Sequence, residues 1–221
     1  MARAPFRADH VGSLLRPSSV GQARKKFAAG EISQDELTAV EDKAIRETIA
    51  NEERVGLKSI TDGELRRENW SLDFFAALDG TKVVERATAP RGHGGAKPTG
   101  TVLKVATVVS KLGFSNHPML EHFKFLKANT KQTAKITIPS PTMIVSASRD
   151  WRDIIDSSAY SSLEAFYEDL AATYQDVIRG FYDAGCRYLQ FDDVNMAYLC
   201  DKDMRAGMEQ RGDDPEQVFE G

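Results

Sequence analysis

The chain has 221 residues, of which 41% are hydrophobic and 28% are charged, and its formal net charge is −4. This composition is typical of a soluble globular protein and excludes the strongly basic surface of a nucleic-acid-binding domain. No apolar run approaches the ~20 residues of a membrane helix, and the N-terminus lacks the apolar core of a signal peptide. We therefore expect a cytoplasmic protein with neither a nucleic-acid nor a membrane partner.

Cysteine and histidine are sparse. Cys186 and Cys200 lack CxxC spacing, and the four histidines form no HxH, HxxxH or HExxH pattern. Because a zinc site needs three or four such ligands, the pattern predicts no metal site in this chain. His93 lies in the Gly/Pro-rich segment 86–101, which we interpret as a loop excursion within one domain that spans 1–221.

Strand-like runs and helical periodicities alternate along the chain. Strands are predicted near 5–13, 57–62, 102–109, 135–140 and 187–193. The Ser33-x-x-Glu36 capping box begins one helix, which Gly56 ends, and an apolar stripe predicts a long helix over 161–184. Alternating strands and helices indicate an α/β fold with a parallel sheet.

Polar residues collect where these strands end. They are Ser13, Asp62, Glu64, Ser140, Asp192 and Asp193. The chemistry of parallel sheets lies at this edge. Carboxylates such as Glu64 and Asp192 can bind an ammonium group, bind a divalent cation or act as acid and base, while Gly12 and Ser13 offer donors to a carboxylate. Together they describe a site for a zwitterionic amino acid, which His10 could also line.

A structural role competes with this interpretation. Asp62 and Asp193 could cap the segments that follow them, and Glu64 could pair with Arg66 or Arg67. The residues alone leave both interpretations open.

Four segments carry a family resemblance. They are HVGSLLRP (10–17), SITDGELRRENW (59–70), KITIPSPTMI (135–144) and LQFDDVNMAYL (189–199). Together and in this order they resemble the cobalamin-independent methionine synthase family, above all its shorter single-barrel paralogues of the methyltetrahydropteroyltriglutamate–homocysteine methyltransferase-like type. The resemblance implies a (β/α)₈ TIM barrel of the methionine-synthase/uroporphyrinogen-decarboxylase type. It also implies zinc-dependent transfer of a methyl or alkyl group to a thiol, by default homocysteine.

The resemblance implies roles for individual residues as well. Val11, Gly12 and Ser13 match the turn that binds the amino-acid carboxylate, and Glu64 and Asp192 match the catalytic acids that hold the amine. Further pocket candidates are His10, Ser140 and Asp193.

The chain departs from the family in three respects. Asp192-Asp193-Val194 stands where the synthases have Asp-Glu-Pro, and the folate-stacking tryptophan has no clear match, although Trp151 is nearby, so the sequence gives no support for folate as methyl donor. The family's zinc ligands follow the sixth, seventh and eighth strands. A complete barrel needs about 250 residues, so we expect about five of the eight strands here, with the zinc ligands beyond residue 221. Such a fragment would be inactive alone and open to self-association.

Three hypotheses remain. The chain is part of a thiol alkyltransferase that uses homocysteine or a coenzyme-M-type thiol. Alternatively, it is a non-catalytic or assembly-dependent half-barrel that another chain completes. The third hypothesis is a decarboxylase or lyase on the same barrel, which would use His10, Glu64 and Asp192.

Overall fold

A computed structural model describes residues 8–87, 102–145 and 150–216. The helices are α1 (Ser18–Ala28), α2 (Gln34–Arg54), α3 (Leu72–Phe75), α4 (Pro118–Asn129), α5 (Leu163–Asp183), α6 (Asn195–Cys200) and α7 (Lys202–Gln210). The strands are β1 (Ser59–Ile60), β2 (Asp79–Ala87), β3 (Val102–Gly113), β4 (Thr133–Ala134), β5 (Ile136–Pro139) and β6 (Leu189–Asp192). Short 3₁₀ turns cover Pro141–Val145 and Trp151–Asp153. The predicted mixed α/β class is confirmed.

The internal contacts of the chain divide it into two units. Unit 1 comprises 1–70, 117–138 and 178–191, and unit 2 comprises 71–116, 139–177 and 192–221. His93 and most of the predicted excursion over 86–101 lie outside the described residues.

The helix predicted from the capping box forms as α2. The Ser33 hydroxyl accepts the Glu36 N–H at 3.2 Å, and the Glu36 carboxylate accepts the Ser33 N–H at 2.8 Å. Two of the unpaired donors at the helix start are thereby satisfied. The apolar side of α2, which includes Ile45 and Ile49, is buried in unit 1.

Parallel strand pairs follow the predicted positions near 57–62, 135–140 and 187–193. β1 pairs with β4 in parallel, with Ser59 opposite Thr133. β5 pairs with β6, and only Lys135 separates β4 from β5. The Ile136 N–H donates to Tyr188 O, so the beginnings of β5 and β6 lie side by side. Period-two alternation places Lys135 and Thr137 on the face opposite Ile136 and Ile138.

Each unit has its own apolar core. In unit 1 the fully buried rings of Phe123 and Phe181 meet edge to face at 6.1 Å. In unit 2 the Phe74 ring lies 5.9 Å from that of Tyr174, whose hydroxyl donates to Pro139 O at 2.8 Å. Burying such aromatics contributes more stability than any other side-chain class, because each removes a large apolar area from water.

Two predictions about strands are corrected. Residues 8–13 of the predicted strand over 5–13 are not a strand, since Gly12 has a φ of 81° and Val11 is 64% exposed, so the apolar run is not buried. The predicted strand over 102–109 is the longer β3, which pairs antiparallel with β2 rather than within a parallel sheet. The charged segment that forms β2 was not predicted as a strand.

The predicted barrel is not closed within the described part of the chain. The six strands there form three two-stranded pairs: β1 with β4, β2 with β3, and β5 with β6. None of the helices described is both long enough and apolar enough to cross a membrane.

The capping box gives a direct test of what starts α2. Replacing Ser33 with Ala removes the hydroxyl that accepts the Glu36 N–H, so we expect the free energy of unfolding to fall by about 1 kcal/mol. Urea unfolding measures the change. Ser19→Ala is the matched control, because Ser19 is exposed in the first turn of α1 and has no side-chain hydrogen bond among the described residues. An equal loss in both variants would contradict the capping role.

Candidate functional site

The turn after β1 holds Glu64 in an unusual backbone conformation. Gly63 and Glu64 have φ values of 64° and 54°, and Glu64 is the one non-glycine residue with positive φ in the described ranges. The left-handed conformation costs such a residue roughly 1–2 kcal/mol. The Asp62 carboxylate accepts the Glu64 N–H at 2.9 Å, and the Thr61 hydroxyl accepts the Gly63 N–H at 3.0 Å. Backbone strain of this kind is concentrated at functional sites, which directs attention to Glu64.

Two arginines hold the same turn through its carbonyl groups. Arg24 donates to Leu65 O at 2.7 Å and to Arg67 O at 2.8 Å. Arg16 donates to Arg67 O at 2.7 Å. Carbonyl oxygens of the turn thus accept from charged donors, which stabilises the strained turn.

The Glu64 carboxylate is buried beside a hydroxyl and a guanidinium. The residue is 5% exposed, and its Oε1 accepts the Thr137 hydroxyl at 2.8 Å. Arg67 Nη1 lies 3.7 Å from the same oxygen, and the second terminal nitrogen of Arg67 donates to Thr137 O. In the described chain no hydrogen bond reaches Glu64 Oε2. The carboxylate is therefore fixed through one oxygen, and the other can accept from a ligand.

The Gly12–Ser13 turn lies close to Glu64 within unit 1. The Leu14 N–H donates to Gly63 O at 3.1 Å, and Arg16 Nη2 lies 3.2 Å from the Ser13 hydroxyl oxygen and 3.4 Å from Glu64 O. One nitrogen thus contacts both the predicted carboxylate-binding turn and the residue predicted to bind the amine. The N–H groups of Gly12 and Ser13 donate to no group among residues 8–87, 102–145 and 150–216.

The segment before this turn is anchored by an ion pair between the buried Lys135 and the partly exposed Asp9. Lys135 is 0% exposed and donates to Asp9 Oδ2 at 2.8 Å and to His10 O at 2.7 Å. Asp9 also accepts the hydroxyls of Ser59 and Tyr188, each at 2.6 Å. Partial burial alone would raise the pKa of Asp9, but the hydrogen bonds from Lys135, Ser59 and Tyr188 hold it at about 2.

His10 itself is half-buried, and its ring Nε2 lies 2.6 Å from Gly12 O. Because this contact closes the turn on itself, His10 supports the backbone that presents Ser13. The arrangement is that of a satisfied histidine, although a role in the pocket stays a prediction.

In unit 2, Asp193 is engaged with its own surroundings. Its Oδ2 accepts the hydroxyls of Ser140 at 2.8 Å and Thr142 at 3.2 Å, and its Oδ1 accepts the Asn195 N–H at 2.8 Å. The Ser140 N–H donates to Asp192 O at 2.8 Å. Asp193 and Ser140 are therefore brought together, and the contact from Asn195 gives Asp193 a structural role at the start of α6.

The part of the chain that the structure describes holds no group of three or more His, Cys, Asp or Glu side chains able to bind a metal ion. Cys200 is exposed, whereas Cys186 is buried, and burial raises the pKa of its thiol. Trp151 is covered by the Arg152 guanidinium at 4.7 Å. The described residues therefore do not fit a zinc centre.

The sequence missed three residues that complete the arrangement in unit 1. Arg16 contacts Ser13. Thr137 contacts Glu64, and Lys135 contacts Asp9. A signal existed for Thr137 and Lys135, since they are polar residues on one face of an otherwise apolar strand. No local pattern in the sequence marked Arg16.

Comparison with known proteins gives the family. No family model matches the chain. It is 39% identical over 217 residues to YxjH of Bacillus subtilis, which is uncharacterized, covering 98% of this chain and 55% of that protein. It is 28% identical over 185 residues to the methionine synthase of Sulfurisphaera tokodaii, covering 83% of this chain and 50% of that enzyme.

Solved structures agree. A crystal structure of a candidate vitamin-B12-independent methionine synthase from Listeria monocytogenes matches with 40% identity and a TM-score of 0.73, over 91% of this chain and 56% of that one. The chain is cobalamin-independent methionine synthase-like. A B12-independent methionine synthase from a Shewanella species, solved with selenomethionine, shares the fold at a TM-score of 0.58 and 21% identity, over 80% of this chain and 48% of that one.

The predicted family resemblance is thus confirmed, with one qualification of length. The chain spans about half the length of the relatives and structures it matches, between 48% and 56% of each.

The Asp9–Lys135 pair predicts how stability depends on pH. Because the pKa of Asp9 is about 2 in the folded protein and ordinarily 3.8, the unfolded chain takes up this proton first as pH falls. The stabilisation from Asp9 is complete above its ordinary pKa and is lost as pH falls toward about 2. We expect the free energy of unfolding of Asp9→Asn to vary less steeply with pH in this window than that of the wild type.

Urea unfolding at a series of acidic pH values measures both slopes. Glu47→Gln, which alters an exposed carboxylate of α2, should keep the wild-type slope. A slope of Asp9→Asn equal to that of the wild type would show that Asp9 is not held ionised by its neighbours.

Proposed function

We propose that this chain forms the amino-acid-binding part of an enzyme that transfers a methyl or alkyl group to a thiol, with homocysteine as the acceptor. The observation that carries the proposal is the buried Glu64 carboxylate, which a strained turn holds in place. The backbone carbonyl of Glu64 in that turn is contacted by the same Arg16 nitrogen that contacts the Ser13 hydroxyl. The methionine synthases among the relatives, and the Shewanella enzyme solved with selenomethionine, support a thiol- or thioether-bearing amino acid as ligand.

Glu64 is proposed to bind the ammonium group of that amino acid. Thr137 and Arg67 both lie against Oε1, which leaves Oε2 for the ligand. Arg67 places a positive charge beside Oε1 and leaves the second oxygen unoccupied. An ammonium group would then gain a charge-assisted hydrogen bond from a carboxylate that is already oriented.

Gly12 and Ser13 are proposed to bind the carboxylate at the other end of the amino acid, with Val11 completing the turn. Their N–H groups have no acceptor within the described residues, and the exposed Ser13 hydroxyl adds a third donor. A positive φ, such as the 81° at Gly12, is typical of backbone turns whose successive N–H groups bind anions.

Asp192 is proposed, from the resemblance alone, to bind an ammonium group. Ser140, Asp193 and His10 remain pocket candidates on the same grounds. Each of these assignments is a prediction that substitution can test.

The complete enzyme is proposed to be a TIM barrel that activates the thiol with zinc. The parallel pairing of β1 with β4, and the pairing of β5 with β6, support a barrel to which this chain contributes these short strands. Zinc coordination deprotonates a thiol, which is otherwise a poor nucleophile at neutral pH. Since the described residues do not fit a zinc centre, we propose that its ligands lie elsewhere in the assembled enzyme.

The proposed ammonium site is tested by binding of L-methionine, measured by isothermal titration calorimetry. Glu64→Gln and Asp192→Asn each remove one charge-assisted hydrogen bond, so we expect each to cost roughly 1.5–3 kcal/mol of binding free energy. The desamino analogue of methionine should bind Glu64→Gln and the wild type alike. Glu68→Gln is the matched control, since it alters an exposed carboxylate in the same loop.

Methionine binding that Glu64→Gln leaves unchanged would contradict the ammonium role. A coenzyme-M-type thiol has no ammonium group, so strong binding of such a thiol that is indifferent to Glu64 would favour that acceptor over homocysteine.

The proposal also predicts the metal content of the chain. After dialysis, purified protein should contain far less than one zinc per chain and show no thiol alkylation, because tight zinc binding needs three or four protein ligands. Elemental analysis decides this. About one zinc per chain, lost on His10→Ala or Cys200→Ser, would show that the site is built from residues within this chain.

A further inference from the structure

The Arg16 guanidinium holds the turn after β1 but uses only part of its hydrogen-bonding capacity. All of its hydrogen bonds come from one nitrogen, Nη2, which lies 2.7 Å from Arg67 O, 3.2 Å from the Ser13 hydroxyl oxygen and 3.4 Å from Glu64 O. Its Nε is shielded from solvent and has no hydrogen-bond partner. Its Nη1 donates to nothing in the described ranges. Nη1 is therefore available to a ligand, and Nε is left without a hydrogen-bond partner.

Arg16 also lacks a counter-ion, which sets it apart from a neighbour in the same place. Arg24 donates to the same carbonyl, Arg67 O, but its charge is balanced by Glu41 at 3.3 Å. No carboxylate lies within ion-pair distance of Arg16 among residues 8–87, 102–145 and 150–216. Burying part of a guanidinium with a donor that has no partner costs folding free energy, unless an anion accepts from the guanidinium.

The surroundings of Arg16 show where such an anion would lie. Arg16 contacts the Ser13 hydroxyl, and the Gly12 and Ser13 N–H groups of the same turn have no acceptor in the described chain. Hydroxyl, backbone N–H groups and guanidinium are the donors that bind carboxylates, and the planar fork of arginine matches the two carboxylate oxygens.

We propose that Arg16 binds the α-carboxylate of the amino acid held at Gly12–Ser13 and is the residue that makes an anionic group there a requirement. This inference rests on the proposed function and adds to it a residue that determines specificity. Glu64 shares its charge with Arg67, whereas the charge of Arg16 is unbalanced. The carboxylate end of the ligand therefore contributes more to affinity than the ammonium end.

A purely structural role for Arg16 would be to hold the turn at 64–67. Arg24 does this without touching Ser13, which makes Arg24→Gln the matched control for Arg16→Gln. The two ligands to compare are L-methionine and L-methioninol, which keeps the ammonium group and the thioether but has an alcohol in place of the carboxylate. Isothermal titration calorimetry on the purified chain measures the binding of both ligands to each variant and to the wild type.

Arg16→Gln should weaken methionine binding about ten-fold or more while changing methioninol binding less than two-fold, because only methionine loses a charge-assisted contact. Arg16→Lys, which keeps the charge but not the fork, should recover part of the loss. Arg24→Gln should weaken both ligands by the same factor.

The outcomes separate the two proposals. If the wild type binds methionine and Arg16→Gln weakens both ligands equally, Arg16 is only structural and this inference is overturned while the proposed function stands. If the wild type binds neither ligand at millimolar concentration, the proposed function is overturned, and the role of Arg16 with it.

Discussion

A buried lysine ammonium group needs an anionic partner, and the arrangement of unit 1 depends on the partners of Lys135. Burying an unpaired ammonium costs several kcal/mol, so its partner is effectively obligatory. Asp9 is that partner, and Lys135 binds His10 O as well. The irregular segment 9–14 is thereby fixed to the beginning of β5, although it makes no strand of its own. The hydrogen bond from Leu14 to Gly63 O then joins it to the turn after β1.

The strained turn at Glu64 shows what this anchoring makes possible. A left-handed glutamate persists only where its surroundings over-determine it. Here Asp62 bonds the Glu64 N–H, Thr137 bonds its carboxylate, and Arg16 and Arg24 bond the carbonyls that follow. As a result the Glu64 carboxylate is oriented before any ligand binds, so ligand binding costs little side-chain conformational entropy at Glu64.

Local patterns predicted the local features well. The capping box, the ends of α2, the long helix α5 and the short parallel strands follow from residues close together in sequence. The strand prediction was wrong over 8–13 because the apolar residues of this region suggested a buried strand. Val11 is 64% exposed, and Leu15, just beyond the segment, is 96% exposed. The β2–β3 pairing was missed because its first strand is charged and its partner lies across a long intervening segment. Asp9 and Lys135 are 126 positions apart, and no pattern in a single sequence joins them.

Asp62 and Asp193 differ from Glu64 in side-chain length, and this difference separates their contacts. Asp62 is short enough to accept the N–H two residues ahead, and so is Asp193, which leaves both committed to their own turns. Glu64 carries one more methylene and reaches away from its backbone to Thr137 instead. A sequence that reads simply as acidic at these points therefore conceals two tasks. In the turn after β1, Asp62 shapes the backbone and Glu64 extends to a position where a ligand can bind, which is why Glu64 rather than Asp62 carries the proposed function.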